Sequence, residues 1–369
     1  MKKLLSIVLI ISTVCFNSVK AQKNISIDTT KWEIKAKSYS FESFKGKEAI
    51  NIKSGSFKLK NTKFLNGTIE FDIVLKGNRA FPGVYFRMID DKNGEHWYLR
   101  PHQSGNPDAN QAAAIINGVT PWQLYFGKKY SFKYDYKYND WTHVKLVVND
   151  DKAQVFLDYS DKPNLSWNLF TETKWGDLVI NLANRDAIHI ANITVDKKAN
   201  DLVDFKTINR KPIPKLIEKW EVSNAFKEEI LDDSNQLQSK LENAKWMGHI
   251  EVEEGMAANI SRKIKINRKN ANTVFAKIEI ISDKDQQKLF HFGYSDRVVA
   301  ILNGSSIYKG NNSFRTRDYR YLGTIGLFDA AYLNLKKGKN TLIMAVSESF
   351  GGWLITGKFD NYDGLKIKY

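Results

Sequence analysis

The stretch HVKLVVNDDKAQVFL, residues 143 to 157, decides the fold class. Val144, Leu146 and Val148 recur at every second position, as do Ala153, Val155 and Leu157, a spacing that sends one set of side chains to one face of a strand. Between them Asn149-Asp150-Asp151 tolerates the left-handed backbone of a tight turn, so the segment predicts a β-hairpin. On either side, residues 67–73, 84–87 and 188–195 carry the same alternation, and Asn93-Gly94 after Asp90-Asp91 and Asn303-Gly304 supply further turns. Short strands at this spacing predict an all-β protein built of β-sandwiches.

The amino terminus reads differently. Met1-Lys2-Lys3, an apolar run from Leu4 to Phe16 and the ending Val19-Lys20-Ala21 form the pattern of a secretory signal peptide cleaved after Ala21, which predicts a periplasmic or extracellular protein. That run is too short to span a bilayer and no second long apolar segment exists, so no transmembrane helix is expected. Val14 stands where a lipoprotein signal wants a small residue, which argues against lipidation of Cys15. Cys15 is the only cysteine, so the mature chain can form no disulfide and holds no thiol nucleophile.

Removing residues 1–21 leaves 348 of 369, more than one hydrophobic core usually serves. The alternation stops after Val195, and a charged stretch with Pro212 and Pro214 reads as a stiffened linker. The expected organisation is a first sandwich over 22–200, a linker over 201–218 and a second sandwich over 219–369. One short helix is expected from Ser234 to Ala244, with Ser234 as its N-cap and Leu237 and Leu241 on one face.

The net charge of +15 suggests nucleic acid until it is divided along the chain. Residues 22–200 hold 26 Lys and Arg against 20 Asp and Glu, and residues 201–369 hold 27 against 21, so each half is +6 with the signs interleaved. That is a solvated surface, compatible with weak attraction to acidic polysaccharide, and nucleic acid is not an expected partner. No nucleophile elbow, P-loop, dinucleotide fingerprint, C-x-x-C or H-E-x-x-H occurs, so no cofactor and no metal are expected. Asp90 and Asp91 beside Asn93-Gly94 are explained by a turn more simply than by calcium. Nothing in the sequence names a protein partner.

The chemistry gathers in YLRPHQSGNPDANQA, residues 98 to 112. Arg100, His102, Gln103, Asn106, Asp108, Asn110 and Gln111 offer guanidinium, imidazole, amide and carboxylate groups within a dozen residues, and Pro101, Gly105 and Pro107 shape a rigid loop. Trp97, Tyr98, Trp122 and Tyr125 supply aromatic faces, and Arg87 stands on a neighbouring strand. Aromatic faces stack on the C–H surfaces of sugar rings while planar polar groups bond paired hydroxyls, so the cluster is a candidate carbohydrate site. A polar loop joining two strands over buried aromatics would carry many of the same residues. The expected ligand-binding set is Arg87, Tyr98, Arg100, His102, Gln103, Asp108, Gln111, Trp122 and Tyr125.

Glu70 and Asp72 are two apart in one strand and share a face. Paired carboxyl groups about 5 to 9.5 Å apart are what glycoside hydrolysis requires, so Glu70, Asp72 and His102 are the candidate catalytic residues; an exposed polar strand face would look the same. The segment resembles the laminarinase-type hydrolases of the concanavalin A-like superfamily, whose strand carries E-x-D-x-x-E or E-x-D-x-E. Here Val74 and Leu75 stand where the third carboxylate belongs, which excludes that mechanism.

A closer resemblance runs from about Phe64 to Val195. Residues 67–72, 82–87, 98–105, 117–118, 122–125 and 141–145 resemble the concanavalin A-like domain named for 3-keto-disaccharide hydrolysis, common in exported proteins of Bacteroidetes-type bacteria. This resemblance implies sugar chemistry or sugar binding and assigns no catalytic residue. From about Lys219 to Tyr369 the chain resembles a galactose-binding-like jelly roll, through Phe292–Arg297, Val299–Gly304 and the strand, turn and returning strand of Leu335–Leu342. Phe314-Arg315-Thr316-Arg317-Asp318-Tyr319-Arg320-Tyr321 alternates aromatic and basic groups, as a hairpin or an acidic-glycan site would, and Ser349-Phe350-Gly351-Gly352-Trp353 puts an aromatic on a flexible loop.

Three functions follow as expectations. An exported carbohydrate-binding protein of polysaccharide or oligosaccharide utilisation requires a groove with aromatic faces. A hydrolase or lyase of a modified keto-disaccharide requires His102 to meet Glu70 or Asp72 in one pocket. A structural or adhesion protein requires neither.

Overall fold

The computed structural model describes residues 24–183, 186–314 and 324–369. The expected signal peptide and residues 315–321 of the aromatic-basic run lie outside them. The first half is built from β1 (Trp32–Phe44), β2 (Lys47–Leu59), β3 (Gly67–Val74), β4 (Phe81–Asp90), β5 (Asn93–Leu99), β6 (Asn110–Ile115), β7 (Trp141–Asn149), β8 (Lys152–Leu157), β9 (Leu165–Asn168), β10 (Asp177–Ala183) and β11 (Ile188–Asp196). They hydrogen-bond in the order β6-β5-β4-β10-β2-β11-β3-β7-β8-β9, with β1 along β2. The long β2 turns the sheet over on itself: its residues 55–58 pair with β10 and its residues 49–52 with β11, with Ser54 at φ +44° between. The two layers so formed close on one core, in which Val84, Phe86, Trp97 and Ile180 of one meet Ile69, Phe71, Val144 and Leu146 of the other.

The quoted hairpin is observed as β7 and β8, with Asn149 opposite Lys152 and Asp150 at φ +49°. The turn expected at Asn93-Gly94 falls instead two residues earlier, at Asp91-Lys92, because Asp90 already pairs with Asn93. The Asp90 carboxylate closes it, accepting from the Lys92 amide at 2.7 Å and the Asn93 side chain at 3.0 Å. Gly94 is then a strand residue whose missing side chain leaves room for Met88, since a Cβ there would stand 2.4 Å from its sulfur.

The second half comprises β12 (Lys219–Ser223), β13 (Trp246–Glu253), β14 (Ala257–Asn259), β15 (Thr273–Ser282), β16 (Gln286–Ser295), β17 (Arg297–Leu302), β18 (Ser305–Asn311), β19 (Asp329–Leu335), β20 (Gly338–Ser347), β21 (Leu354–Phe359) and β22 (Leu365–Lys368). One layer runs β18-β17-β20-β15-β12 with β22 beside β15, the other β14-β21-β16-β19, and β13 joins them. Trp220, Ile278 and Met344 face Phe290, Phe292 and Ile355 across the core. The molecule is thus all-β with two β-sandwich, jelly-roll domains. Residues 335–342 do not form a hairpin: β19 pairs with β16 and β20 with β15 and β17, so the short turn carries the chain from one layer to the other. The one α-helix among the described residues, α1 (Ser234–Glu242), is capped by Asp233 rather than Ser234, the carboxylate accepting from the amides of Asn235 and Gln236. Its Leu237 packs on the outer face of the second sandwich against Phe275, Ile301 and Ile343.

The sandwiches meet along a bonded seam. Arg262 of the second half holds Glu253 at 2.8 Å and donates to the Phe170 carbonyl of the first at 2.8 Å; Tyr125 donates to Glu253 at 2.6 Å and Lys129 pairs with Glu254 at 2.8 Å. The stretch expected as a linker is bonded to this seam, with Arg210 donating to the carbonyls of Leu124 and Phe126 and lying 4.6 Å over the Phe126 ring.

Candidate functional site

Period 2 puts Val84 and Phe86 of β4 and Trp97 and Leu99 of β5 into the core, so Tyr85, His96 and Tyr98 emerge on the outer face. Antiparallel register sets Tyr85 directly opposite His96 and Gly83 opposite Tyr98. Gly83 is demanded there, because a Cβ would lie 2.6 Å from the Tyr98 side chain. The three rings stack in a row: Tyr85 to His96 at 3.8 Å and 17°, His96 to Tyr98 at 4.6 Å and 20°. Both faces of His96 are therefore covered and only its edge is available for bonding. That imidazole is 5% exposed and neither ring nitrogen has a protein partner. Burial alone pushes its pKa down to about 3, so it is neutral. Burial likewise pushes the Tyr85 hydroxyl up to about 12.

Arg100 extends this floor. Its guanidinium pairs with Asp108, donates to Tyr98 Oη at 2.9 Å and to Gln111 Oε1, and lies over the Tyr98 ring. Gln111 in turn donates to the carbonyls of Trp122 and Tyr125, tying the loop that carries Trp122 to the floor. His102 sits on a short 3-10 turn over Pro101–Gln103; burial first, then the cations Arg79 and Arg100, push its pKa down to about 4. Its Nδ1 is buried without a protein partner.

These residues line a cleft of about 360 Å³ between the two sandwiches. Tyr85, His96, Tyr98, Arg100 and Asn181 form its floor, and Arg79, Phe81, His102, Gln103 and Trp122 form the walls that the first half supplies. The second half contributes Arg268, Phe314, Phe350 and Gly351. Trp122 lies 6.4 Å from Phe314 and 6.1 Å from Phe350, ring centre to ring centre. The 349–353 loop, expected to be flexible, is pinned: the Asp296 carboxylate accepts from the amides of Ser349 and Phe350, each at 2.9 Å, and Gln123 Oε1 accepts from Gly352 at 2.6 Å. Of its two aromatics Phe350 faces the cleft, and Trp353 is core, donating to the Val346 carbonyl.

Five of the expected ligand residues, Tyr98, Arg100, His102, Gln103 and Trp122, therefore line one cleft. Asp108 and Gln111 brace Arg100 from behind it. Tyr125 is placed in the seam, bonded to Glu253 and Arg262. Arg87 is placed away from the cleft. Simple alternation gives it the parity of Tyr85, but β4 carries an extra residue against β10 between Tyr85 and Met88, and Arg87 adopts φ +51°. The bulge sends its guanidinium to the Leu65 carbonyl at 2.7 Å and the Asn66 side chain at 2.8 Å. His96, Tyr85, Asn181, Arg79 and Arg268 were not anticipated. His96 shares the parity of Tyr98 on one strand, a signal that was legible; Arg79 and Arg268 stand in connecting loops and carry none.

Glu70 and Asp72 do not line the cleft and do not meet His102. Asp72 stands directly opposite His143 on β7, and the imidazole bridges the two carboxylates, Nδ1 at 2.8 Å from Asp72 and Nε2 at 3.1 Å from Glu70. Lys47 at 2.6 Å and Asn192 at 2.7 Å also bond Asp72, and the Tyr159 ring caps His143 at 4.0 Å. Burial would lower the His143 pKa, but the bonds to Asp72 and Glu70 outweigh it and hold it at about 9, so it is an imidazolium. Burial would raise the Asp72 pKa, and His143, Lys47 and Asn192 together keep it low. Every member is satisfied, so this is a closed charge network rather than a site awaiting a ligand. Among the described residues no group of three or more His, Cys, Asp or Glu is placed to hold a metal ion.

Fold and cleft together define a two-sandwich protein with an aromatic, guanidinium-bearing cleft at its seam. No protein-family model and no curated protein matches the chain. Among solved structures it is similar to the carbohydrate-binding module CBM66 from Bacillus subtilis, at 17% identity over 45% of this chain and 95% of that one, with a TM-score of 0.36. It is also similar to a non-specific endo-β-1,3(4)-glucanase of family GH16, at 9% identity over 47% of this chain and 86% of that one, TM-score 0.35. A third is domain 4 of a GH43 extracellular arabinanase from Geobacillus stearothermophilus, at 9% identity over 45% of this chain and 84% of that one, TM-score 0.30. Each likeness spans less than half of this chain, and none bears on the ligand.

Proposed function

We propose that this is an exported carbohydrate-binding protein, serving polysaccharide or oligosaccharide utilisation, whose ligand lies in the cleft between the sandwiches. One observation carries the reading: the stacked rings of Tyr85, His96 and Tyr98 floor a cleft walled by Trp122 and Phe350, with Arg100, Gln103 and Asn181 among its polar lining. The aromatic floor and walls take the C–H faces of a sugar ring while the guanidinium and amide groups bond its hydroxyls. In this reading the first sandwich is of the concanavalin A-like, 3-keto-disaccharide hydrolase type and the second is of the galactose-binding-like type, as their motifs imply. A hydrolase or lyase acting on a modified disaccharide is the second reading, favoured by His102, a neutral imidazole that lines the same cleft.

The test is a glycan-array screen of the mature chain, with Trp122→Ala and His96→Ala alongside. Binding that both variants reduce by about tenfold or more supports the cleft. Silence across neutral and acidic glycans, with the protein shown to be folded, overturns carbohydrate binding. Product analysis on a bound glycan separates binding from cleavage, and N-terminal sequencing of the secreted protein, expected to begin at Gln22, tests export.

A further inference from the structure

We infer that the ligand of this cleft is an anionic saccharide, a sugar bearing a carboxylate or a sulfate, held by Arg79, Arg100 and Arg268. This deepens the carbohydrate reading and rests on it. The three guanidiniums reach the cleft from separate parts of the chain: Arg79 from the loop before β4, Arg100 from the end of β5, and Arg268 from the second sandwich. No carboxylate stands among the described lining residues. Arg79 and Arg268 bring positive charge to the walls of this apolar-lined space and Arg100 brings directed N–H donors to its floor, which together form a site for an anion.

Each guanidinium is held in place by other means than a carboxylate in the cleft. Arg79 lies over the rings of Phe81 and Phe314, at 5.5 and 5.4 Å, which orients its guanidinium. Arg268 is anchored through Nε, which donates to the Ser349 carbonyl at 3.0 Å. Arg100 is paired with Asp108, so it contributes directional N–H donors more than net charge. Two buried acids stand behind the second wall: Asp296, whose carboxylate accepts from the Ser349 and Phe350 amides, and Glu348, whose carboxyl is pushed well above the usual range, first by burial and then by Asp296. His96 and His102 remain neutral donors or acceptors and suit hydroxyls. The composition of the cleft is thus an anion clamp at the walls and hydroxyl partners on the floor, which is the chemistry of an acidic sugar rather than of a free inorganic anion.

The experiment is calorimetric titration of the full mature chain with four probes of matched length: oligogalacturonates, the same oligosaccharides methyl-esterified, sulfated galactan oligosaccharides, and neutral galacto-oligosaccharides. Each is measured at low salt and at about 0.5 M NaCl, where surface charge is screened within a few ångströms. The expected result is that one anionic series binds about tenfold or more tighter than its neutral counterpart and weakens with salt. Arg268→Ala should remove most of that preference, Arg268→Lys should restore part of it, and circular dichroism should be unchanged in both. Oligogalacturonate against sulfated galactan tells carboxylate from sulfate. Equal binding of charged and neutral series, or a preference that Arg79→Ala and Arg268→Ala both leave intact, overturns the anionic ligand and leaves carbohydrate binding standing. No heat with any probe, together with a silent glycan array, overturns both.

Discussion

Two histidine-bearing faces of the first sandwich have opposite electrostatic fates. On β3 and β7, His143 lies between Glu70 and Asp72 and is charged; on β4 and β5, His96 lies between Tyr85 and Tyr98 and is neutral. Both are nearly buried, at 8% and 5% exposure, so burial is not what separates them. The partners are. His143 has a carboxylate on each nitrogen and leaves nothing for a ligand, whereas His96 has neither nitrogen satisfied and faces a cleft. The polar cluster of Glu70 and Asp72 closes on His143, and His96, beside Glu95 and Trp97 in sequence, lines the cleft proposed as the ligand site.

The sharpest way to break this comparison is Asp72→Asn. It leaves the buried His143 and Lys47 without their shared counter-charge and should lower stability by about 3 kcal/mol in chemical denaturation, with glycan affinity unchanged. An affinity loss that exceeds the stability loss would move the site to β3.

The pH dependence should split in the same way. The folded pKa of His143 lies above its ordinary 6.5, at about 9, so its contribution of about 2–3 kcal/mol is full below pH 6.5 and is lost as pH rises through about 9. The folded pKa of His96 lies below 6.5, at about 3, so stability falls as pH drops from 6.5 toward 3 and the unfolded chain takes up the proton. Denaturation profiles of His143→Gln and His96→Phe should flatten the alkaline and the acid limb respectively, and a single variant flattening both would refute the assignment.

Trp122→Ala should weaken glycan binding by about 2 kcal/mol with little change in stability, since the ring stands in a wall and not in the core. His96→Phe sharpens the contrast at a smaller scale. It keeps the ring stack, removes two unpartnered nitrogens and should raise stability by about 1 kcal/mol near neutral pH while reducing glycan affinity. Gln123→Ala leaves the buried Gly352 amide unpaired and should cost about 1–3 kcal/mol in stability, with the smallest loss of affinity in this series, by loosening the Phe350 wall.

Much of the cleft was legible locally. The dense run from Tyr98 to Gln111 marked Arg100, His102 and Gln103, and Trp122 followed from its aromatic character near that run. Gln111 and Asp108 were found with the right neighbours but in bracing positions, because the spacing of Asp108 in a loop and Gln111 at the start of β6 carries no information on which side chain is undermost. Arg87 was misread because alternation assumes an unbroken strand, and one inserted residue reverses the face of everything after it.

What the amino-acid sequence determined by itself is the all-β class, the strands around residues 67–73, 84–86, 143–157 and 188–195 with their inward and outward faces, and the turns at 149–151 and 303–304, because alternation and left-handed turn residues act within a few positions of the chain. What the tertiary structure alone decided is who faces whom. Register put Asp72 against His143, 71 residues away, and Tyr85 against His96, and the seam brought Phe350 to within 6.1 Å of Trp122 across more than two hundred residues. Such pairings depend on where whole sheets settle to bury their cores, and no local pattern encodes the partner.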